Sequence, residues 1–445
     1  MDIVRTVTAV LQEQLGEHLD ALARQCGLVL RERKFTGQSL LRMLVLTLLR
    51  QPDATTADFF VTAIEAGLEV SATAVDKRLQ AGPPLTDFLR RALERALQQT
   101  VAAVPSSAEL LQQFTAVFVG DSSVIVLPET LADLFPGCGD AANARRAALK
   151  LQVLWNLKTG CLEQLQITAG KASDAHSAIA VEQAAPGTLL VYDLGYFDLE
   201  RFARLDQHQA KFLSRWQHGT AVAQADGPAL DLVAYLRAQP TGLLDQVIQL
   251  GATLRLTCRL LAIRVPEEVA NRRRQQARAK ARAHGRAAPS AAYLELLGWS
   301  LFVTNATAAE LPWKAVVVLY RARWQIELLF KLWKSHNGLN RLRLGAAALE
   351  PLAVLYAKLL GVLLQHWLLL ALVWHIPQRS LLRAARQLRE WWKVLLWVLD
   401  DPTQLQGILQ RLQRQLQRLA RVKDRAGNPS HAQLLEEPEL LDWLA

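Results

Sequence analysis

The segment LYRARWQIELLFKLWKSH (residues 319–336) sets a phenol, a guanidinium, a carboxylate and an ammonium at Tyr320, Arg323, Glu327 and Lys334. At about 100° per residue, a helix opening near Pro312 gathers these four groups into an arc of about 60°. Val318, Ala322, Ile326, Leu329 and Trp333 fall on the opposite side, and Gln325 blurs the division. Such a helix buries one side and presents an acid flanked by two bases and a phenol. Arg323 and Glu327 alone also read as an i,i+4 surface ion pair worth about a few tenths of a kcal/mol. That pairing explains neither Tyr320 nor Lys334. Two further acids follow apolar runs: Asp121 after FTAVFVG and Asp193 at the end of GTLLVYD. Asp198 and Asp174 are weaker candidates, because each reads as the N-cap of a helix.

The elements that must position these groups follow from periodicity. Residues 1–103 read as helices. Within them Thr55–Leu79 has the cadence of a helix-turn-helix, with Gly67 ending one helix and Ser71 capping the next, which carries Lys77 and Arg78. DNA binding and ordinary bundle packing both fit this pattern. From Phe114 the pattern turns to strands: FTAVFVG, then SVIVLP as a second strand, then a hairpin of LKLQVLWNL and CLEQLQITAG around Lys158-Thr159-Gly160. A helix is expected in 173–186, before the buried strand GTLLVYD. Strands, a helix and another strand imply an α/β sheet with its chemistry along one edge.

Residues 219–310 read as an interruption of that sheet. Strand-like pieces flank NRRRQQARAKARAHGR (271–286), which has seven basic residues and no acid. A charge run is commonly a solvated face, but this one-sided sign favours a phosphate-contacting arm through Arg272, Arg273, Arg274, Arg278, Lys280 and Arg282. After Leu311 the chain reads as helical to its end. Leu405, Leu409, Leu412, Leu416 and Leu419 form a short heptad seam, suited equally to a partner subunit or to packing within the chain.

Half of the 445 residues are apolar, a globular composition, and the length predicts several domains. The net charge of +10 suits a polyanionic partner. Cys26, Cys138, Cys161 and Cys258 stand far apart, which suits neither a disulfide framework nor a zinc site and fits a reducing cytoplasm. The acid-bearing N-terminus does not read as a signal peptide. Residues 352–374 are long enough to cross a bilayer, yet contain Lys358, Gln365 and His366. A lysine at mid-membrane costs about 3 kcal/mol, so a helix buried in protein, with no membrane partner, is the expectation.

Tyr320, Arg323, Glu327 and Lys334 match the Tyr-x2-Arg-x3-Glu-x6-Lys signature at every spacing, and the chain therefore resembles DDE transposases of bacterial insertion sequence family four. FVGDSS and VYDLGYFD resemble the blocks carrying that family's two catalytic aspartates. WSLFVTN (299–305) resembles the block that closes its β-rich insertion, 28 residues before Glu327. The resemblance spans roughly residues 110–340. It implies an RNase H-like catalytic domain in two parts (110–218 and 311–375), interrupted by a β-rich insertion with the basic arm (219–310). A helical DNA-binding region (1–103) and a helical C-terminal region (376–445) flank it.

In phosphodiester cleavage, two Mg²⁺ ions, or Mn²⁺ in their place, clamp the attacking and leaving oxygens, and such ions take carboxylate ligands. Asp121 is then the bridging ligand, Asp193 the ligand of one ion and Glu327 that of the other. The family further implies that Arg323 and Lys334 hold the phosphates of a cut end, that Tyr320 donates a hydrogen bond to the same backbone, and that Trp299 receives a base flipped during hairpin formation. Without the resemblance, Trp299 reads as a core residue. The implied partners are double-stranded DNA, as transposon ends and as target, and a second copy of the chain on DNA. The setting is the bacterial cytoplasm, at the nucleoid. Two alternatives remain: an RNase H-like nuclease without strand transfer, and a catalytically inactive DNA-binding derivative.

Overall fold

The β-branched and aliphatic runs between Val117 and Thr304 form one nine-stranded sheet in a computed structural model that describes residues 2–30, 34–138, 146–177, 179, 184–225, 227–342, 349–422 and 429–441. The strands are β1 (Val117–Leu127), β2 (Ala147–Asn156), β3 (Leu162–Ala169), β4 (Leu189–Tyr192), β5 (Lys211–Arg215), β6 (Val222–Gln224), β7 (Leu243–Leu250), β8 (Leu256–Arg264) and β9 (Trp299–Thr304). Their spatial order is β3-β2-β1-β4-β5-β9-β8-β7-β6. Within the first five, β2 alone runs against the others: β1 pairs antiparallel with β2, β2 antiparallel with β3, and β1, β4 and β5 are mutually parallel.

Three sequence expectations change. FTAVFVG and SVIVLP are a single strand, so Asp121 sits inside β1 and only Asp193 follows a strand end. The strands of residues 219–310, expected as a separate insertion, extend the same sheet, because β9 pairs with β5 through Leu213↔Thr304 and Arg215↔Phe302. Thr304 Oγ1 donates to the Phe212 carbonyl, and the Asn305 amide both accepts from Phe212 N–H (2.8 Å) and donates to the Ala210 carbonyl (2.9 Å), so the end of WSLFVTN fastens the two halves. The expected helix is not found in 173–177, 179 and 184–186, none of which is helical, while 178 and 180–183 lie outside the described residues.

The hairpin is as read, with Gly160 at φ +71° in its turn. The helices Thr56–Glu65 and Ala72–Leu79 flank the expected turn, with Gly67 at φ +78° and the Ser71 side chain capping Ala74 N–H.

Pro351–Val373 is the apolar helix that could have been taken for a membrane span, and it is buried inside the protein. It packs on the helices Ile3–Gln14, Gly37–Arg50, Pro83–Leu97 and Pro402–Leu419. Its polar residues find internal partners: Lys358 Nζ donates to the Gly338 carbonyl (2.8 Å), Gln365 accepts from Asn337 (2.8 Å), and His366 Nε2 meets the Gly160 carbonyl (2.8 Å). The N- and C-terminal helical regions, separate in the sequence reading, thus share one layer, joined further by an Arg42–Asp400 ion pair at 2.6 Å. The leucine seam belongs to this layer. Leu405, Leu409, Leu412 and Leu416 are fully buried within the chain, and only Leu419 stays exposed.

Candidate active site

Strand register brings the two aspartates together. In the parallel pair, Gly120 of β1 lies level with Tyr192 of β4, so the next residue on each chain is an acid, Asp121 and Asp193. Neighbouring strands are about 4.8 Å apart, which makes these two carboxylates neighbours across the sheet. A side chain at position 120 would force its surroundings to shift: a Cβ there would lie 2.7 Å from the Tyr192 ring. Beyond Tyr192, β4 stops in a turn (Leu194–Tyr196) that starts at Asp193, while β1 runs on beside β2.

Glu327 arrives from the helical side. The signature segment is two helices, Trp313–Ala322 and Trp324–Lys331, interrupted at Arg323 and followed by one π turn, Leu332–His336. It is therefore not the single regular helix of the sequence reading. The division of faces survives: Val318, Ala322, Ile326, Leu329 and Trp333 are all buried, whereas Tyr320, Arg323, Glu327 and Lys334 are half-buried. Asp121, Asp193, Arg323, Glu327 and Lys334 line one open cleft of about 490 Å³, together with Ser122, Ser123, Phe330, Lys331 and Ser335. The sequence reading had not singled out Lys331 or the two serines. Lys331 is four residues beyond Glu327, a spacing that could have drawn attention to it.

A single guanidinium organises the acids. Arg323 Nη1 donates to Asp121 Oδ2 (3.0 Å) and Nη2 to Glu327 Oε1 (2.7 Å). The Tyr320 hydroxyl lies 3.5 Å from Asp193 Oδ1, and the Arg323 guanidinium sits 5.8 Å from the Tyr320 ring centre. Burial pushes the Asp121 carboxyl up to about 6; Arg323 and the Ser122 N–H oppose that rise, and Asp193 and Glu327 add to it. Burial and the nearby Asp193 push the Tyr320 phenol up to about 12. Burial disfavours the Arg323 charge, yet Asp193 and Asp121 outweigh it and hold the group above its usual value. Burial lowers Lys334.

Carboxylates and serine hydroxyls are hard oxygen donors of the kind Mg²⁺ and Mn²⁺ take, so the cleft fits such ions chemically. Among the described residues no three acidic, histidine or cysteine side chains already stand as a ligand set. Arg323 lies between Asp121 and Glu327, bonded to both.

The two weaker acids lie outside this cleft. Asp198 caps a helix through Arg201 N–H (2.9 Å), as read. Asp174 pairs with Lys150 at 3.0 Å and caps no helix. Trp299 is buried, 6 % exposed, in the core on the far half of the sheet, with the Arg264 guanidinium 5.4 Å from its ring centre, and does not line the cleft. The basic run forms the helix Glu267–Ala283. Arg272, Arg278, Lys280 and Arg282 are exposed on it. Arg273 and Arg274 are not free for phosphate: Arg273 donates to the Trp299 carbonyl (3.2 Å) and Ser300 Oγ (3.1 Å), and Arg274 to the Leu294 carbonyl (3.1 Å) and Glu267 (2.6 Å).

Comparison with known proteins agrees in extent with this geometry. The transposase DDE domain matches residues 112–350, a little over half of the chain. The transposase for insertion sequence element IS231F of Bacillus thuringiensis subsp. israelensis is 27% identical over 374 residues, 78% of this chain and 76% of the relative. That for IS231B of Bacillus thuringiensis subsp. berliner is 26% identical over 357 residues, 73% of each. That for IS1151 of Clostridium perfringens is 25% identical over 271 residues, 56% of each. The chain belongs to the DDE transposases of insertion sequences, a family of enzymes that act on DNA.

Proposed function

We propose that the chain binds the terminal inverted repeats of its mobile element, cuts the DNA there through a hairpin and joins the 3′ ends to target DNA, with Asp121, Asp193 and Glu327 as catalytic carboxylates. The carrying observation is that one guanidinium spans Asp121 and Glu327 while strand register sets Asp193 beside Asp121, in a cleft also lined by Lys334. The 3-2-1-4-5 order of the first five strands, with β2 alone reversed, supports an RNase H-like reading of the domain.

In this reading Asp121, Asp193 and Glu327 would together hold two divalent ions, Mg²⁺ or Mn²⁺ in their place. When bound, the ions supply Lewis acidity at the attacking and leaving oxygens of the phosphodiester. Arg323 and Lys334 grip the phosphates flanking the scissile bond, the arginine through two parallel N–H groups. Tyr320, whose phenol keeps its proton, orients the same backbone by donating a hydrogen bond. Residues 1–103 and the exposed cations of the Glu267–Ala283 helix extend the DNA-binding surface, and two chains pair on DNA.

Incubating the full chain with Mg²⁺ and a duplex that carries an element end and its flank should yield nicked, hairpin and then joined products on a denaturing gel. Asp121→Asn, Asp193→Asn and Glu327→Gln should each lower cleavage by about a thousandfold or more while still shifting the duplex in a native gel. Products that stop at the nick would leave a nuclease without strand transfer. Binding without any metal-dependent cleavage would leave an inactive DNA-binding derivative.

A further inference from the structure

We propose that Arg323 is the resident counter-ion of the cleft's carboxylates, and that divalent ions and a DNA phosphate bind cooperatively because the phosphate draws this guanidinium off Asp121 and Glu327. This rests on the reading of the cleft as a metal and DNA site. Asp121 and Glu327 are 15% and 34% exposed, and with Asp193 beside them three carboxylates share a partly dehydrated space. Such acids repel unless a cation lies among them. Arg323 is that cation, with Nη1 3.0 Å from Asp121 and Nη2 2.7 Å from Glu327.

Three features make this a transferable contact. The lone pairs that Arg323 occupies are the ones a divalent ion needs, so fork and ion compete for the same oxygens of Asp121 and Glu327. The fork is also incompletely satisfied, because its Nε is buried without a hydrogen-bond partner. Such a group favours an alternative pose in which it too can donate. Finally, Arg323 stands at the junction of two helices, where its N–H bonds the Tyr320 carbonyl (3.3 Å) in place of the regular i→i−4 partner. A phosphate at the cleft mouth, beside Lys331 and Lys334, offers the fork two oxygens in matching geometry. Moving Arg323 onto it frees the carboxylates and removes a positive charge from the place a cation must enter. By linkage, each ligand then strengthens the other by the same factor. The consequence is an enzyme that takes up its metal weakly until a DNA end is seated.

Mn²⁺ binding to the full chain, read by the electron paramagnetic resonance signal of free Mn²⁺, tests this with and without a short duplex copied from the boundary of its own element. In the parent, the duplex should tighten Mn²⁺ binding roughly 5- to 150-fold, the usual range of coupling between sites. In Arg323→Gln, Mn²⁺ should bind more tightly than in the parent without DNA, by a factor in the same range, and the duplex should add little. Arg323→Lys keeps the charge but cannot span both acids. It should fall between the two, and it carries the test if the Gln variant misfolds by circular dichroism. Lys331→Gln removes a cleft cation that does not bridge the acids; it should weaken duplex binding but leave the DNA-free Mn²⁺ affinity close to the parent's. Mn²⁺ affinity in Arg323→Gln no tighter than in the parent, or equal coupling in both, overturns the inference. So does a gain in Lys331→Gln as large as that in Arg323→Gln. A parent that binds no Mn²⁺ under either condition overturns instead the reading of the cleft as a metal site.

Discussion

Gly120 and Trp299 show how single positions separate chemistry from packing. Gly120 precedes Asp121 because the Tyr192 ring lies where its Cβ would be. Gly120→Ala should therefore destabilise the protein by about 1–3 kcal/mol and disturb the neighbouring acids. Urea unfolding together with a cleavage assay checks this, and unchanged stability would mean that Tyr192 repacks at no cost. Trp299 carries two readings with different signatures. Buried as it is, Trp299→Ala should cost about 3–5 kcal/mol of stability. A variant that melts like the parent but fails only in hairpin formation would favour the base-stacking role that the resemblance implies.

At the scale of elements, the helix Glu267–Ala283 divides its cations between two tasks. Its mixed composition reads as one charged stretch, yet Arg273 and Arg274 point back to carbonyls around Trp299 and Leu294. Arg273→Ala should lower thermal stability, because it leaves the Trp299 carbonyl and Ser300 without a charged donor. Replacing Arg278, Lys280 and Arg282 together by Ala should leave stability within about 0.5 kcal/mol. That triple variant should instead flatten the salt dependence of DNA binding by about 0.9 per lost phosphate contact. Fluorescence anisotropy over a salt series distinguishes the outcomes, and an unchanged slope would make these residues a solvated face.

For the whole molecule, stability depends on one long apolar helix that both ends of the chain enclose. His366 lies inside it, and burial pushes its imidazole down to about 4. A folded-state value below the unfolded one means that the neutral ring contributes stability above about pH 6.5, and that this contribution is lost as pH falls toward 4. The loss is of order 2–3 kcal/mol. His366→Gln, which cannot gain a proton, should start less stable at pH 7 but decline less between pH 6.5 and 4.5 in urea titrations. Parallel declines in the two proteins would place the acid sensitivity elsewhere. The leucine seam belongs to the same scale. Because Leu409 is buried within the chain, Leu409→Ala should cost about 2–5 kcal/mol, with a melting temperature independent of protein concentration.

Local signals settled what depends on neighbours along the chain. The spacing of Tyr320, Arg323, Glu327 and Lys334, the apolar side opposite them, the Gly160 hairpin and the Ser71 cap all rest on contacts within a few residues, and the structure contains each of them. The family was legible for the same reason, since its signature is a short spacing along one contiguous segment. Register was not legible. That Asp121 lies inside a strand, level with Asp193, depends on how β1 and β4 pair across 72 residues. Nor could composition say which arginines of a basic run would face inward, because that depends on carbonyls supplied by β9 and its neighbours. The seam of leucines was ambiguous because an apolar stripe specifies that it is buried, not against what. Only tertiary packing decided that the partner is the chain itself, and only side-chain geometry set Arg323 between two acids. Both are outcomes of long-range competition for the same contacts, which no local pattern encodes.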